Sequence, residues 1–91
     1  MKILLCTNGS SYAAPALDMG TRVARRTASA VDVLVVAERD REKEALQMAE
    51  AVTADLEATG VPVVPHQRTG RMAEEVVRQA QATPYDLVVI G

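Results

Sequence analysis

Short aliphatic runs alternate along the chain with longer stretches in which apolar residues recur at every third or fourth position. The aliphatic runs cover residues 2–7, 31–37, 61–64 and 85–91. Runs of this length predict strands, and the periodic stretches between them predict helices with one apolar face. The sequence therefore predicts a three-layer α/β fold, in which a parallel sheet with right-handed crossovers lies between helices.

Each predicted helix has one stripe of small or aliphatic residues that can pack on the sheet. The stripes are Ala13, Ala16, Leu17, Gly20 and Ala24; Ala45, Met48, Ala49, Val52 and Leu56; and Ala73, Val76, Val77 and Ala80. Ser10 or Ser11 is expected to cap the first helix. The charged run 38–44 is expected to form a solvated start of the second helix from Asp40, and Gly60 to follow its end.

The pattern also separates central strands from edge strands. Residues 31–37 are apolar at nearly every position, which is typical of a parallel strand covered on both faces. Pro62 and Pro65 flank the third run, and a proline cannot donate a hydrogen bond to a neighbouring strand. The third strand is therefore expected at an edge of the sheet.

Composition narrows the class of protein. The 91 residues are enough for one domain, and 48% of them are hydrophobic, but Tyr12 and Tyr85 are the only aromatic residues. The net charge of -2 argues against nucleic-acid binding. The single cysteine, Cys6, cannot form an internal disulfide, and neither a secretory h-region nor a membrane span is evident. A cytoplasmic protein without membrane contact is expected.

Candidate chemistry follows from position, because open parallel sheets bind ligands beyond the carboxyl ends of their strands. The residues there are small or polar: Thr7, Asn8, Gly9 and Ser10; Ala37 and Glu38; Thr69 and Gly70; and Gly91. Backbone N–H groups at such helix starts suit an anion or a nucleoside. The residues alone favour a simpler interpretation, in which Asn8 and Gly9 form a tight turn and Ser10 caps a helix.

Familiar catalytic and phosphate-binding motifs are not found. The stretch NGSSYA has one of the three glycines of a dinucleotide-binding turn, and no P-loop string occurs. Asp32 and Asp86 lie at strand starts, His66 is the only histidine, and Cys6 is expected to be a buried apolar residue. Because no nucleophile, base and orienting acid can be assembled, the chain is not expected to be an enzyme.

Three stretches together resemble the universal stress protein (UspA-like) family. KILLCTNGSSYAAPAL resembles its opening strand, Asp-Gly-Ser turn and helix. TGRMAEEVVRQA resembles its Gly-x-Pro-Ala-Glu-Glu helix start, with Met72 in the place of proline, and YDLVVIG resembles its fourth strand. The resemblance implies a sheet in the order 3-2-1-4-5, of which this chain matches four strands, in the order 3-2-1-4, and three helices. It implies a single, C-terminally truncated domain over residues 1–91, lacking the fifth strand and last helix.

The resemblance also implies a nucleotide site. Cys6, Thr7 and Asn8 would line the nucleoside pocket, with Asn8 replacing the usual aspartate. The adenine contact from strand two would fall at Ala37 or Glu38. Gly91 would be the first glycine of the loop that holds ribose and phosphates in ATP-binding members. A full-length form is therefore expected to be able to bind ATP, and this chain is expected to bind ATP weakly or not at all.

The resulting hypothesis is a non-catalytic regulatory or binding module related to adenine-nucleotide binding. One alternative is an ATP-hydrolysing or adenylating enzyme of the adenine-nucleotide α-hydrolase-like class, although NGSSYA matches its S-G-G-x-D-S loop poorly. Another alternative is a scaffold that binds no small ligand.

The implied strand order makes strand four an edge. Its residues Asp86, Leu87, Val88, Val89 and Ile90 form a largely apolar segment that another chain could pair with. A homodimer or higher oligomer through this edge, or an exchange of elements between copies, is therefore expected.

Overall fold

The computed structural model describes residues 1–9 and 13–91. Strands and helices alternate as β1 Lys2–Thr7, α1 Ala14–Thr27, β2 Ala30–Ala37, α2 Glu42–Ala58, β3 Val63–Thr69, α3 Met72–Ala82 and β4 Leu87–Ile90. All strand pairs are parallel, and the strands lie in the order β3-β2-β1-β4. The predicted fold class, alternation and strand order are confirmed.

The helices cover the two faces of the sheet unequally. α1 and α2 pack on one face and share a core with alternate residues of the central strands; its buried members include Ile3, Leu5, Ala24, Val33, Val35, Ala49 and Leu56. α3 packs alone on the other face, around a smaller buried group of Leu4, Cys6, Leu34, Val36 and Val76. One side of the sheet is therefore covered by two helices and the other by one.

Small residues let α1 approach the sheet closely, as its stripe predicts. Gly20 faces β1, and a Cβ atom built there would overlap the Leu5 side chain. Ala13 and Ala24 are also fully buried. Hydrophobic burial over this close contact stabilises α1, whose N-cap residue makes no side-chain hydrogen bond.

The helix ends agree with the predictions except at the start of α2. Asp40 has a φ of 71° and belongs to the preceding turn, so the helix begins at Glu42. Gly60 follows the end of α2 with a φ of 83°, as predicted for a C′ glycine. Ser10 and Ser11 lie outside the described residues. Within the described ranges, no helix is long and apolar enough to cross a membrane.

The third strand is an edge strand as predicted, but it runs from Val63 to Thr69 and continues through Pro65. Val31 N–H donates to Pro62 O, and Gly70 N–H donates to Ala37 O. In a parallel ladder, alternate residues face the same neighbour. Pro65 therefore directs its nitrogen away from β2 and costs the ladder no hydrogen bond, which is why the strand does not stop there.

The predicted apolar stripe of α3 is wrong apart from Val76. The exposed members of that stripe are Ala73, Val77 and Ala80. Glu75 and Gln79 are buried instead. They face Arg68 of β3, whose Nη2 donates to Gln79 Oε1 at 2.7 Å and whose Nη1 lies 3.8 Å from Glu75 Oε1. The partly buried Arg68 on the sheet thus selects the polar side of this helix, because the buried Glu75 and Gln79 side chains need partners.

Candidate functional site

A recess of about 280 Å³ opens at the carboxyl ends of β1 and β2. Its walls come from the turn after β1, the end of β2 and the first turns of α2: Asn8, Gly9, Ala37, Glu38, Arg41, Glu44 and Ala45. We call this cavity the carboxyl-end recess. Its position beyond the strand ends is the usual place for a ligand in an open parallel sheet.

The β1 wall of the recess is a turn that is stabilised by a hydrogen bond to the Thr7 side chain. Thr7 is fully buried, and its Oγ1 accepts a hydrogen bond from Gly9 N–H at 3.1 Å. Gly9 has a φ of 80°, a conformation that residues with a Cβ rarely adopt. Asn8 precedes it and is exposed at the rim. The turn therefore presents Asn8 in one defined position over the end of β1.

The opposite wall is the loop that leads from β2 into α2. Ala37 is the last residue of β2 and is 2% exposed, and its carbonyl accepts the N–H of Gly70 from the end of β3. Arg41 N–H donates to Glu38 O, which closes the tight turn between them. The small side chain of Ala37 leaves room at the base of the recess, and the turn brings Glu38 and Arg41 to its side.

The recess combines small apolar walls with a mixed set of charges. Among the described residues that line it, Glu38 and Glu44 carry carboxylates and Arg41 carries the cation. Such a lining can hold a flat, uncharged group between apolar walls and place one negative charge at Arg41. A group of three His, Cys, Asp or Glu side chains suited to a metal ion does not occur within residues 1–9 and 13–91.

Three of the six residues implied by the resemblance line the recess, and three do not. Asn8, Ala37 and Glu38 lie together in it. Cys6 is fully buried under α3, and burial raises the pKa of its thiol to about 12. Thr7 acts through the turn, as described above.

Gly91 lies on the far side of β1 from β2. Its N–H donates to Cys6 O at 3.0 Å, and a Cβ atom there would come within 2.9 Å of Ala16 Cβ. The strand order reverses between β1 and β4, so Gly91 is at the switch point of the sheet. It does not line the recess.

Sequence reasoning missed the contribution of α2 to the site. Arg41, Glu44 and Ala45 line the recess, although the run 38–44 was expected to be a solvated helix start. Most of this run is exposed, as that expectation requires. The available signal was its position directly after a central strand, where charged residues face a ligand as well as solvent.

A second polar cluster occupies the opposite, amino end of the sheet. Asp32 Oδ2 accepts the Tyr85 hydroxyl at 2.5 Å, and Gln79 Nε2 donates to the same hydroxyl oxygen at 2.9 Å. Lys2 Nζ and His66 Nε2 lie 3.8 Å and 3.5 Å from Asp32 Oδ2. Burial, and then the hydrogen bond to Asp32, raise the pKa of Tyr85. This cluster joins α3 to the sheet, remote from the recess.

Comparison with known proteins finds relatives by structure and not by sequence. No protein family matches the sequence, and a search of curated proteins finds no match. Among solved structures, a universal stress protein family member from Burkholderia pseudomallei superposes with a TM-score of 0.88 at 21% identity. That match covers 99% of this chain and 80% of the other.

Two further structures extend the comparison. A universal stress protein in complex with cAMP has a TM-score of 0.82 at 14% identity, over 100% of this chain and 75% of the other. The hypothetical protein MJ0577 has a TM-score of 0.82 at 25% identity, over 97% and 72% of the two chains. These superpositions cover 97–100% of this chain, and therefore nearly all of its strands and helices. The chain therefore has the universal stress protein fold.

Proposed function

We propose that the chain is a universal stress protein domain that acts as a non-catalytic binding module, and that the carboxyl-end recess binds an adenine nucleoside. The observation that carries this proposal is the convergence of Asn8, Ala37 and Glu38 in one cavity at the ends of β1 and β2. Ala37 gives the base of the cavity an apolar surface for a flat ring. Asn8 and Glu38 supply polar groups that can recognise its edge.

The charge of the recess favours a nucleotide with little negative charge. Arg41 can pair with one negative charge of a phosphate, but Glu38 and Glu44 repel any additional negative charge. A nucleoside or a cyclic monophosphate therefore suits the described walls better than ATP. The structural neighbour that was solved with cAMP supports this choice of ligand class.

Binding is a better match than catalysis for the described walls of the recess. Its lining residues in the described part of the chain include no Ser, Thr, Cys, Lys or His side chain that could act as a nucleophile beside a base. We therefore propose a regulatory role in which occupancy of the recess is the signal. Formation of ADP or AMP from ATP by the purified chain would contradict this role and support the enzyme alternative.

Nuclear magnetic resonance titration tests the proposal residue by residue. Adding adenosine or cAMP to the 15N-labelled chain should shift the amide signals of Gly9, Ala37, Glu38 and Arg41 and leave those of α3 unchanged. ATP should bind more weakly than cAMP, because the two lining carboxylates oppose its additional charge.

Arg41→Ala and Arg39→Ala form a matched pair for this test. Both positions are exposed, but Arg41 lines the recess and Arg39 does not. We expect Arg41→Ala to weaken cAMP binding by about tenfold and adenosine binding much less, since one charge-assisted hydrogen bond is lost. An equal loss in both variants, or shifts scattered outside the recess, would contradict the site. No shift with any nucleotide would favour the ligand-free scaffold.

A further inference from the structure

We propose that a groove between α2 and β3 binds a basic amphipathic helix of a partner protein. The groove has a volume of about 310 Å³ and lies where α2 packs along the edge strand. We call it the α2–β3 groove. Its walls include Leu46, Ala49, Glu50, Thr53 and Glu57 of α2 and Pro65 of β3. It shares no lining residue with the carboxyl-end recess, so the proposal does not depend on nucleotide binding.

The surface of the α2–β3 groove is mainly apolar. Leu46 is 49% exposed in it, and Pro65 is also exposed. Thr53 Oγ1 is buried, so this side chain does not present its hydroxyl to solvent. Gln67 Nε2 already donates a hydrogen bond to Glu42 O at 2.9 Å. An apolar side chain of a partner would therefore displace water from the groove and leave few polar groups without a bond.

The charges that flank this apolar surface are negative. Glu50 and Glu57 are exposed, and the described lining residues include no lysine or arginine. Neither carboxylate forms an ion pair within residues 1–9 and 13–91. A partner with two basic residues at matching positions would gain two ion pairs. A second copy that presented the same groove would bring carboxylates against carboxylates, so the charge favours a different protein.

The spacing of the two glutamates fits a partner helix. Leu46, Glu50, Thr53 and Glu57 recur at intervals of four, three and four residues and so form one line along α2. Glu50 and Glu57 are therefore about 10 Å apart along the helix axis. A helix aligned with α2 would match them with basic residues seven positions apart. Apolar residues at the third and fourth positions between those two would face the groove.

An extended partner segment fits this edge less well than a helix does. Pro65 directs its nitrogen away from β2, in the middle of β3. A strand added to β3 would therefore lack a donor at its centre. Packing of side chains into the groove does not need that donor, so helix binding is compatible with the protected edge.

A synthetic helix tests the charge of the groove. The probe is a fluorescein-labelled, alanine-rich peptide with two lysines seven positions apart and leucines at the third and fourth positions between them. Glu50→Gln with Glu57→Gln should weaken its binding about fivefold, since two exposed ion pairs are lost. Asp18→Asn with Asp55→Asn makes the same change in net charge at exposed positions outside the groove. We expect less than about a twofold change there, and equal losses would overturn the site.

The apolar part of the contact has its own pair of variants. Leu46→Ala should weaken binding of the same peptide about tenfold, because a leucine buried by the partner is truncated. Met19→Ala is the control, since Met19 is 55% exposed on α1 and should not contact the peptide. A rearranged peptide, with its lysines on the face opposite its leucines, should bind less tightly. No binding of the probe, or equal binding of the rearranged peptide, would overturn the proposal.

Sedimentation distinguishes a partner protein from a second copy as the occupant. Glu50→Gln with Glu57→Gln should leave the oligomeric state of the chain unchanged at every concentration. Circular dichroism checks that both double variants are folded. A loss of self-association in this variant, but not in Asp18→Asn with Asp55→Asn, would assign the groove to a second copy and overturn its assignment to a partner helix.

Discussion

The two edges of the sheet differ in length, polarity and cover. β3 has seven residues, carries Pro65 at an outward position, and packs against α2. Its residues on the α3 face include His66 and Arg68, both of which approach acidic groups. β4 has four residues, all aliphatic, and its side chains toward α3 remain largely exposed. One sheet thus has one protected edge and one open edge.

This difference shows that individual residues, and not the position of a strand at the edge, decide whether that edge is protected from further pairing. Within residues 1–9 and 13–91, β3 and β4 each have a single neighbouring strand, yet only β3 carries the proline and charged side chains that discourage further pairing. α3 packs by its polar side toward β3, where Arg68 bonds to Gln79, and Gln79 also bonds to Tyr85 before β4. The β4 edge is the one at which a further strand can add to the sheet.

The largest expected effect concerns the second polar cluster, which joins α3 to the amino end of the sheet through Asp32 of β2. Asp32→Ala should lower the free energy of unfolding by about 3 kcal/mol, because it leaves the Tyr85 hydroxyl and the Lys2 ammonium without their buried carboxylate. Asp86→Ala is the control at the start of β4, where the exposed carboxylate accepts only a backbone N–H in the described structure. We expect a loss below about 1 kcal/mol there. Urea unfolding measures the stability of both variants. Equal losses for Asp32→Ala and Asp86→Ala would contradict the larger role assigned to Asp32.

A smaller effect distinguishes the two sides of α3. Val76→Ala should cost about 2 kcal/mol, because Val76 is 8% exposed and packs on β1 and β2. Val77→Ala should change stability by less than about 0.5 kcal/mol, because Val77 is 54% exposed. Thermal unfolding of the two variants compares adjacent residues of the same type. A larger loss of stability for Val77→Ala than for Val76→Ala would contradict this packing and support the apolar stripe predicted from the sequence.

The smallest effect is a pH dependence at Tyr85. Its pKa is raised from 10, by burial and then by the hydrogen bond to Asp32. A raised folded-state pKa means that the stabilisation is complete below the unfolded pKa, near pH 10, and is lost as pH rises through the folded value. Tyr85→Phe should cost about 1 kcal/mol at neutral pH. Its stability should then fall less steeply in alkaline solution than that of the unmodified chain, and identical slopes would contradict the assignment.

Much of the fold could be predicted because strand runs and helix stripes have different periods. The small stripe of α1, the C′ glycine at Gly60 and the edge position of the third strand all follow from local residue chemistry. The prediction for α3 failed because an apolar stripe was assumed to face the sheet. Gln79 faces the sheet instead, because it bonds to Arg68 and, through Tyr85, is linked to Asp32. Residues so distant in sequence cannot be paired from the sequence pattern.

The candidate site was predictable only in part. Asn8, Ala37 and Glu38 follow strands, so their meeting at one end of the sheet is a consequence of parallel topology. Arg41 was missed because its place depends on the turn at Asp40, whose φ of 71° the sequence did not indicate. Cys6 is next to the site in sequence but points to the other face, because successive side chains of a strand alternate.

Hydrogen exchange of the outward amides tests the contrast between the edges most directly. The amides of Val88 and Ile90 face away from β1, because Gly91 N–H donates to Cys6 O and alternate residues of a strand face the same neighbour. The amides of Val63 and Gln67 face away from β2. Exchange should slow at Val88 and Ile90 as protein concentration rises and should stay constant at Val63 and Gln67. Exchange that is independent of concentration at β4, or that slows equally at both edges, would contradict a sheet with one open edge.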